Sequence, residues 1–409
     1  MGKAVHFFWR TRVEQNIDLF GVENDFPAEH RTMAESLRKY LCAHILPKAA
    51  EWDRKEKSVP ISVLRELIAA TGLTGVGFSG VYGGHEFPGM DYLMKGVIMR
   101  EIEAVDSGLR SIFSVQNSLV MMPIYWYGTE EQKHEWLPKL ATFTAVGAYG
   151  QTEPNAGSDP GSMTTRAIQD GDAYVLNGSK AWITNAPIAH IFVVWAKDAD
   201  GRIGAYLVER NTPGFTVTRE TKWSLRLSST GHLAFADCRI PLANKLPGAK
   251  GLGSAFKCLN EARYGIAWGS VGALRSCIEE VVPYSTTRTQ FGKPLAAHDT
   301  QRAKIAEAVA DYNQLLLLVR EVARTADREG SLVPIHHLVS MAKWQASEKA
   351  LTHAERLMLI LGGNHCTFDY HTARHARNLH VVWTYEGTGD IHRKLLAERI
   401  TGYPAFPRD

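Results

Sequence analysis

The sequence predicts an α+β protein of several domains, with helices first, then strands, then helices again. Apolar residues recur at helical spacing across residues 25–140, and short β-branched and aromatic runs follow between 145 and 245. Helical spacing returns from residue 254. We therefore predict three domains: all-α at 1–144, β at 145–250 and a helical bundle at 251–409.

The N-terminal domain contains two amphipathic patterns and one marked helix start. Residues 62–73 and 90–105 each place apolar side chains on one face of a helix. The glycine-rich stretch between them, 75–89, is predicted to be a loop. Thr129 followed three positions later by Gln132 predicts a capping box at the start of another helix.

The central domain is predicted from short runs of strand-forming residues separated by turns. Asn177-Gly178 and Pro213-Gly214 are expected to be two of these turns. The predicted strands lie at 174–176, 191–195, 205–208 and 215–218.

The C-terminal domain is predicted to consist of long helices at 266–282, 300–329 and 340–361. Small residues between 267 and 273 would allow a neighbouring helix to approach closely. Pro283 is expected to end or kink the first helix, because proline lacks a backbone N–H. Such apolar helices must pack in a bundle or against another subunit.

The overall composition excludes several classes of protein. Net charge is only +3, without clustered Lys and Arg, so nucleic acid is not an expected partner. No apolar run is long enough for a membrane span, and residues 1–12 lack the features of a signal peptide. The five cysteines are scattered, which indicates neither a disulfide framework nor a metal site. We therefore expect a reducing, cytoplasmic location.

Residues 383–392 contain a carboxylate in a setting that suits catalysis. Glu386 lies in a tight turn just before a helix predicted at 388–401. Asp390 in its first turn and Gly402 beyond its last turn suit the two ends of that helix. A desolvated carboxylate in this turn would have a raised pKa and act as a base. The local pattern by itself, however, favours a simple helix cap.

Five motifs are spread along the chain: YGQTEPNAGSD at 149–159, WITN at 182–185, RTQFG at 288–292, LGGN at 361–364 and YEGT at 385–388. In this order, within a helix–strand–helix arrangement, they resemble the acyl-CoA dehydrogenase family of flavoproteins over residues 25–406. The resemblance implies an N-terminal helical domain, a central β-barrel or sandwich and a C-terminal four-helix bundle.

The resemblance also implies that FAD is the cofactor. In the family, the TEPxxGSD loop hydrogen-bonds the polar edge of the flavin and the WITN strand end flanks its ring. The arginine of RxQFG binds the FAD pyrophosphate of a neighbouring subunit. The glycine turn lies near the adenosine part. The residues that would bind FAD here are Tyr149, Gln151, Thr152, Ser158, Trp182, Thr184, Arg288, Phe291, Gly362, Gly363, Thr388, Asp390 and Phe406.

The position of Glu386 matches that of the catalytic base in the family. The resemblance therefore implies that Glu386 removes a proton from an acyl-CoA substrate. It also implies a homotetramer and an electron-transferring flavoprotein as the electron acceptor.

Within the family, residues 101–111 and 262–269 are most similar to the glutaryl-CoA dehydrogenases. There the arginine matching Arg110 binds the distal carboxylate, because a buried carboxylate needs a positive, bidentate partner. A simpler interpretation of Arg110 is a structural ion pair with Glu103 or Asp106. The residues that would bind substrate are Glu103, Arg110, Ser111, Ser158, Arg263, Tyr385 and Gly387.

Several positions differ from the glutaryl-CoA dehydrogenases. Leu109 replaces an aromatic residue, Gln151 replaces a leucine, and residues 365–366 replace Gly-Ile. Some of these positions lie near the acyl pocket in relatives, so benzylsuccinyl-CoA dehydrogenases are a close alternative. Tyr385, by contrast, is the residue that decarboxylating glutaryl enzymes carry. An acyl-CoA oxidase and a family member without activity are more remote alternatives.

Overall fold

The computed structural model describes residues 16–406. The prediction made for residues 1–12 therefore lies outside the described residues. In the described part of the chain, none of the helices combines the length and the apolar character that crossing a membrane requires.

The N-terminal part is helical, as predicted. The capping box is confirmed, because the Thr129 hydroxyl accepts a hydrogen bond from the Gln132 N–H and the Gln132 side chain accepts one from the Thr129 N–H. The predicted loop at 75–89 contains only a short 3-10 turn, Gly80–Tyr82. The helices are α1 (Ala28–Tyr40), α2 (Leu46–Arg54), α3 (Ile61–Thr71), α4 (Asp91–Glu103), α5 (Ser107–Ser114), α6 (Met122–Tyr127) and α7 (Glu130–Ala141).

The central part is one mixed sheet whose strands pair in the order β6-β7-β3-β2-β4-β5-β8, with β1 also paired to β4. Most neighbours are antiparallel, and β4 runs parallel to β1 and β2. The strands are β1 (Gly147–Gly150), β2 (Arg166–Asp170), β3 (Ala173–Thr184), β4 (Ile191–Lys197), β5 (Ile203–Glu209), β6 (Phe215–Glu220), β7 (Thr230–Pro241) and β8 (Lys245–Leu246).

The predicted turn at Asn177-Gly178 is wrong, since β3 continues through both residues. The register between β3 and β7 shifts between Leu176 and Gly178, so the glycine forms a bulge instead of a turn. The Asn177 amide donates to the Asp237 carboxylate and accepts from the Asp237 N–H. These bonds connect the bulge to β7. They join residues 60 positions apart, so the Asn-Gly pair by itself does not predict them.

The C-terminal part consists of helices and one short hairpin. Pro283 was expected to end or kink its helix; it does not end it, because the helix continues to Thr287. The hydroxyls of Thr286 and Thr287 both donate to the Pro283 carbonyl and support this last turn. The elements are α8 (Gly251–Thr287), β9 (Thr289–Gln290), β10 (Lys293–Pro294), α9 (Asp299–Glu329), α10 (His336–Met358), α11 (His371–Thr384) and α12 (Gly389–Thr401).

Helices from both ends of the chain share one hydrophobic core. This cluster includes Val97 of α4, Ile266 of α8, Ala346 of α10 and Leu379 of α11. The predicted close approach at α8 occurs at Gly269, where a Cβ would lie 2.0 Å from the Glu103 carboxylate. The shared core therefore brings polar side chains of distant segments to the junction of α4, α5, α8 and α10.

Candidate active site

Glu386 lies at this junction, in the turn between α11 and α12. Its φ is +55° and that of Gly387 is +104°, a region that residues with side chains rarely adopt. The N-cap of α12 is Thr388, whose hydroxyl accepts from the Ile391 N–H at 3.4 Å. The interpretation of Glu386 as a simple helix cap is therefore wrong. Its Oε2 atom is buried without a hydrogen-bond partner.

The surroundings of Glu386 combine burial with positive charge. Burial raises the pKa of this carboxyl group, and the charges of Arg110, Arg263 and Lys343 oppose that rise. A carboxylate that is desolvated, unpaired and flanked by cations is suited to accept a proton from carbon.

Two of these cations also bind the backbone of the turn. Arg263 of α8 donates from Nε to the Glu386 carbonyl at 2.8 Å. Lys343 of α10 donates from Nζ to the carbonyls of Trp383 at 3.0 Å and Gly387 at 2.8 Å. The turn that carries Glu386 is thus held by side chains from two other helices.

Arg110 belongs to a polar group next to Glu386, in which Arg110 and Glu103 are fully buried and Tyr385 is partly exposed. Its Nε donates to the Glu103 Oε2 at 2.6 Å, and its Nη2 donates to the Tyr385 hydroxyl. The ion pair proposed as the simpler interpretation therefore exists with Glu103, whereas Asp106 pairs with Arg374. The Arg110 Nη1 remains buried without an acceptor.

Glu103 and Tyr385 have perturbed acidity in this group. Burial raises the pKa of Glu103, although Arg110 opposes the rise. Burial likewise raises the pKa of the Tyr385 hydroxyl, so this group stays protonated at neutral pH. Tyr385 is therefore a neutral partner of Arg110, and Glu103 is the carboxylate that pairs with it.

The first two flavin motifs meet beside the central sheet. The Ala181 N–H donates to the Thr152 carbonyl at 2.8 Å, and Lys180 donates to the Gln151 carbonyl at 3.1 Å. A register shift between Lys180 and Ile183 of β3 turns Trp182 outward, with φ +62° and 62% of its surface exposed.

These features fit a flat cofactor with a polar edge. Trp182 offers an exposed aromatic face that the protein itself leaves mostly uncovered, next to the partly exposed Thr152 and Thr184. Tyr149 donates to the Gln151 side chain at 2.6 Å within the same region. Burial raises the pKa of the Tyr149 hydroxyl, so this group stays protonated and can donate to Gln151 at neutral pH.

Arg288, Phe291, Gly362 and Gly363 form a second group at the end of α8. All four are exposed, and Phe291 at the tip of the β9–β10 hairpin is 94% exposed. Tyr284 connects the two segments, donating to the Leu361 carbonyl at 3.2 Å. Within residues 16–406, no hydrogen bond or ion pair joins this group to the residues around Glu386.

The remaining predicted site residues lie in varied surroundings. Ser111 is buried on α5, and Ser158 is exposed on the loop after β1. Asp390 is exposed and accepts from Arg393 at 3.0 Å. Phe406 is partly exposed, with the Lys394 ammonium 5.6 Å from its ring centroid.

Two residues of the site, Lys343 and His392, were not predicted from the sequence. Lys343 lies on the buried face of α10, together with Ala342 and Ala346. A lysine on an apolar stripe is unusual, so this signal was present in the sequence. His392 is buried beside Gly387, where a Cβ would lie 2.9 Å from its Nε2.

Profiles of acyl-CoA dehydrogenases match the chain over nearly its whole length. The N-terminal domain matches residues 27–144, the middle domain residues 148–238 and the C-terminal domain residues 249–401. The chain therefore belongs to the acyl-CoA dehydrogenase family, FAD-dependent oxidoreductases that act on CH–CH donors. The resemblance inferred from the motifs is confirmed.

Individual relatives cover the chain almost completely. An acyl-CoA dehydrogenase of Bacillus subtilis (strain 168) is 35% identical over 381 residues, 91% of this chain and 98% of its own. A glutaryl-CoA dehydrogenase from Mycobacterium smegmatis in complex with FADH2 is 38% identical, with a TM-score of 0.90, over 95% of this chain and 98% of that chain. Butyryl-CoA dehydrogenase from Megasphaera elsdenii is 32% identical, with a TM-score of 0.86, over 92% and 99%.

Proposed function

We propose that this enzyme oxidises a carboxylated acyl-CoA, with glutaryl-CoA as the substrate and crotonyl-CoA and CO2 as products. The observation that carries the proposal is the buried Arg110, whose Nη1 has no acceptor. An unpaired N–H of a buried cation is costly, and a substrate carboxylate would satisfy it with a charge-assisted hydrogen bond. The 38% identity to a glutaryl-CoA dehydrogenase supports the same choice.

In the proposed mechanism, Glu386 removes the α-proton of the thioester. Bound FAD supplies the acceptor for the β-hydrogen, which leaves as hydride. The Glu386 backbone N–H would polarise the thioester carbonyl. Arg110, with Ser111 nearby on α5, would hold the distal carboxylate, while Arg263 and Ser158 would contact the CoA portion. With glutaryl-CoA, the carboxylate of the enoyl product would then leave as CO2, and the electron pair of the broken C–C bond would be delocalised into the thioester. Protonated Glu386 would return its proton to the carbon that lost CO2, which gives crotonyl-CoA.

A benzylsuccinyl-CoA dehydrogenase is the second candidate. The hydrogen-bonded pair of Tyr149 and Gln151 keeps this alternative open, since glutamine stands here in place of the leucine of glutaryl enzymes and changes this surface. Tyr385 favours the decarboxylating reaction, because its hydroxyl already accepts from Arg110 where the leaving carboxylate would bind.

The substrate is tested by mixing the purified holoenzyme anaerobically with glutaryl-CoA, benzylsuccinyl-CoA or butyryl-CoA. We expect glutaryl-CoA to bleach the flavin fastest and to release CO2 upon turnover. Faster bleaching by benzylsuccinyl-CoA, without CO2, would favour the second candidate. Preference for butyryl-CoA would contradict carboxylate recognition. Rapid reoxidation of the reduced enzyme by oxygen would indicate an oxidase, and a chain unable to take up FAD would indicate an inactive family member.

We further propose a homotetramer in which FAD lies partly across a subunit interface. The exposed Phe291 supports this, as does an apolar groove of about 500 Å³ beside the hairpin, lined by Leu19, Val282, Ile305 and Val309 among others. The absence of direct bonds between the Arg288 group and the Glu386 group fits a cofactor whose ends are bound by different subunits. The electron acceptor would be an electron-transferring flavoprotein, in the cytoplasm.

Arg288→Ala is expected to weaken FAD binding roughly 10- to 100-fold, the effect of losing a charge-assisted hydrogen bond to phosphate. The measurement is the FAD content after gel filtration and the dissociation constant from fluorescence titration. Lys293→Ala, at an exposed cation of the same hairpin, is the matched control. Equal FAD affinity in the two variants would contradict the assignment of Arg288 to the pyrophosphate.

A further inference from the structure

Lys343 has an unusual environment for a lysine. It lies on the inward face of α10, and its exposed surface is 0%. A buried ammonium has lost its hydrogen bonds to water, so it needs polar groups of the protein as partners. Lys343 has two, the Trp383 carbonyl at 3.0 Å and the Gly387 carbonyl at 2.8 Å.

The two carbonyls lie on either side of Glu386. Trp383 is in the last turn of α11, where backbone carbonyls have no partner within the helix. The positive charge of Lys343 also interacts favourably with the negative end of the helix dipole there. Gly387 belongs to the turn that leads to α12. One ammonium therefore joins the end of α11 to the turn before α12, and Arg263 binds the Glu386 carbonyl between them.

We propose that Lys343 is a positioning residue for the base, clamping the carbonyls on both sides of Glu386 and keeping a positive charge facing its carboxylate. This inference rests on the proposed role of Glu386 as the base. It explains how a residue with φ +55° stays in one conformation, and why a lysine is buried in α10.

Charged groups from several elements surround Lys343. Glu386 faces it from the turn, Arg263 from α8 and Arg110 from α5, while α11 meets it through the Trp383 carbonyl. His392 faces it from α12, and burial lowers the pKa of this imidazole to about 2, so it carries no charge. Burial lowers the pKa of Lys343 to about 7, and the Glu386 carboxylate opposes that change.

The direction of the pH effect follows from these charges. Glu386 acts in its ionised form, so flavin reduction should rise as pH increases through its pKa. Burial already raises that pKa, and Lys343 holds it down. Removing the Lys343 ammonium should raise the pKa of Glu386 further. The acidic limb of the rate profile should therefore move to higher pH.

The test uses holoenzymes of Lys343→Met, which lacks both charge and donors, and Lys343→Gln, which keeps an amide donor without charge. The rate of flavin reduction by saturating glutaryl-CoA and by butyryl-CoA is measured across pH. We expect the midpoint of the acidic limb to rise by about one pH unit in both variants, and kcat well below the midpoint to fall about tenfold. KM should change little, because the Lys343 ammonium donates to the Trp383 and Gly387 carbonyls and is not among the groups proposed to bind substrate.

Lys222→Met is the matched control. Lys222 is a partly buried lysine whose pKa is likewise lowered to about 7, and it donates to the Leu225 and Ser228 carbonyls at 2.9 and 3.0 Å. It faces Asp106 and Arg219 instead of Glu386, so its removal should leave the midpoint unchanged.

An unmoved midpoint in both Lys343 variants would overturn the proposal. So would loss of FAD from both variants while Lys222→Met retains it, since that outcome shows a purely structural role. If Glu386→Gln reduces its flavin normally, it is the assignment of the base that fails, which is a separate result.

Discussion

Glu386→Gln should retain its FAD and yet lose flavin reduction by about 10²- to 10⁴-fold, the range expected for removal of a general base. The amide fills the space of the carboxylate and cannot accept the α-proton. The turn should persist, because it is held through backbone carbonyls by Arg263 and Lys343 and not through the Glu386 side chain. Anaerobic stopped-flow absorbance measures the rate, and the visible spectrum measures FAD content.

Glu355→Gln provides the control for this variant. Glu355 is a partly exposed carboxylate on α10 that pairs with His380 at 2.9 Å. Its loss should leave the rate of flavin reduction unchanged. A rate within tenfold of wild type in Glu386→Gln would contradict the role of Glu386 as the base.

Arg110→Met should lower kcat/KM for glutaryl-CoA by about 100-fold, equivalent to about 3 kcal/mol for a hydrogen-bonded charge pair, and should spare butyryl-CoA. The physical reason is that only the carboxylated chain brings an anion to the guanidinium. Steady-state kinetics with both substrates measure the change in selectivity. Similar losses on the two substrates would contradict carboxylate recognition.

Arg110→Met is also expected to lower the stability of the fold. A second variant is therefore needed to separate folding from substrate recognition. Arg110→Met leaves Glu103 buried without its cation, which costs about 3–5 kcal/mol when one partner of a buried pair is removed. Arg110→Met combined with Glu103→Gln removes both charges. We expect the double variant to recover thermal stability relative to the single one, and still to discriminate poorly between glutaryl-CoA and butyryl-CoA. Recovery of selectivity along with stability would show that Arg110 acts only through folding.

Local sequence signals gave correct predictions where the residues that form a feature lie close together in the chain. The capping box at Thr129 is satisfied between residues three positions apart, and Gly402 takes the left-handed conformation that ends α12. The turn predicted at Asn177-Gly178 is wrong, because hydrogen bonds with Asp237 of β7 hold these residues in a bulge within the strand.

The role of each charge was harder to predict than its presence. Arg110 could be assigned either to substrate or to a structural pair. The structure gives it Glu103 and Tyr385 as partners and still leaves Nη1 without an acceptor. Which of several nearby carboxylates pairs with a buried arginine depends on side-chain directions set by helix packing. Spacing along the chain does not contain that information.

The sequence by itself determined the order of helices and strands, the family and the cofactor, because these depend on periodicity and on contiguous motifs. Only the tertiary structure decided that Thr388, and not Glu386, caps α12 and that the Glu386 Oε2 is left unpaired. It alone placed Lys343 and Arg263 on the turn of the base. The reason is physical: burial and charge at Glu386 arise from α5, α8 and α10, which are remote in sequence and meet only when the shared core forms.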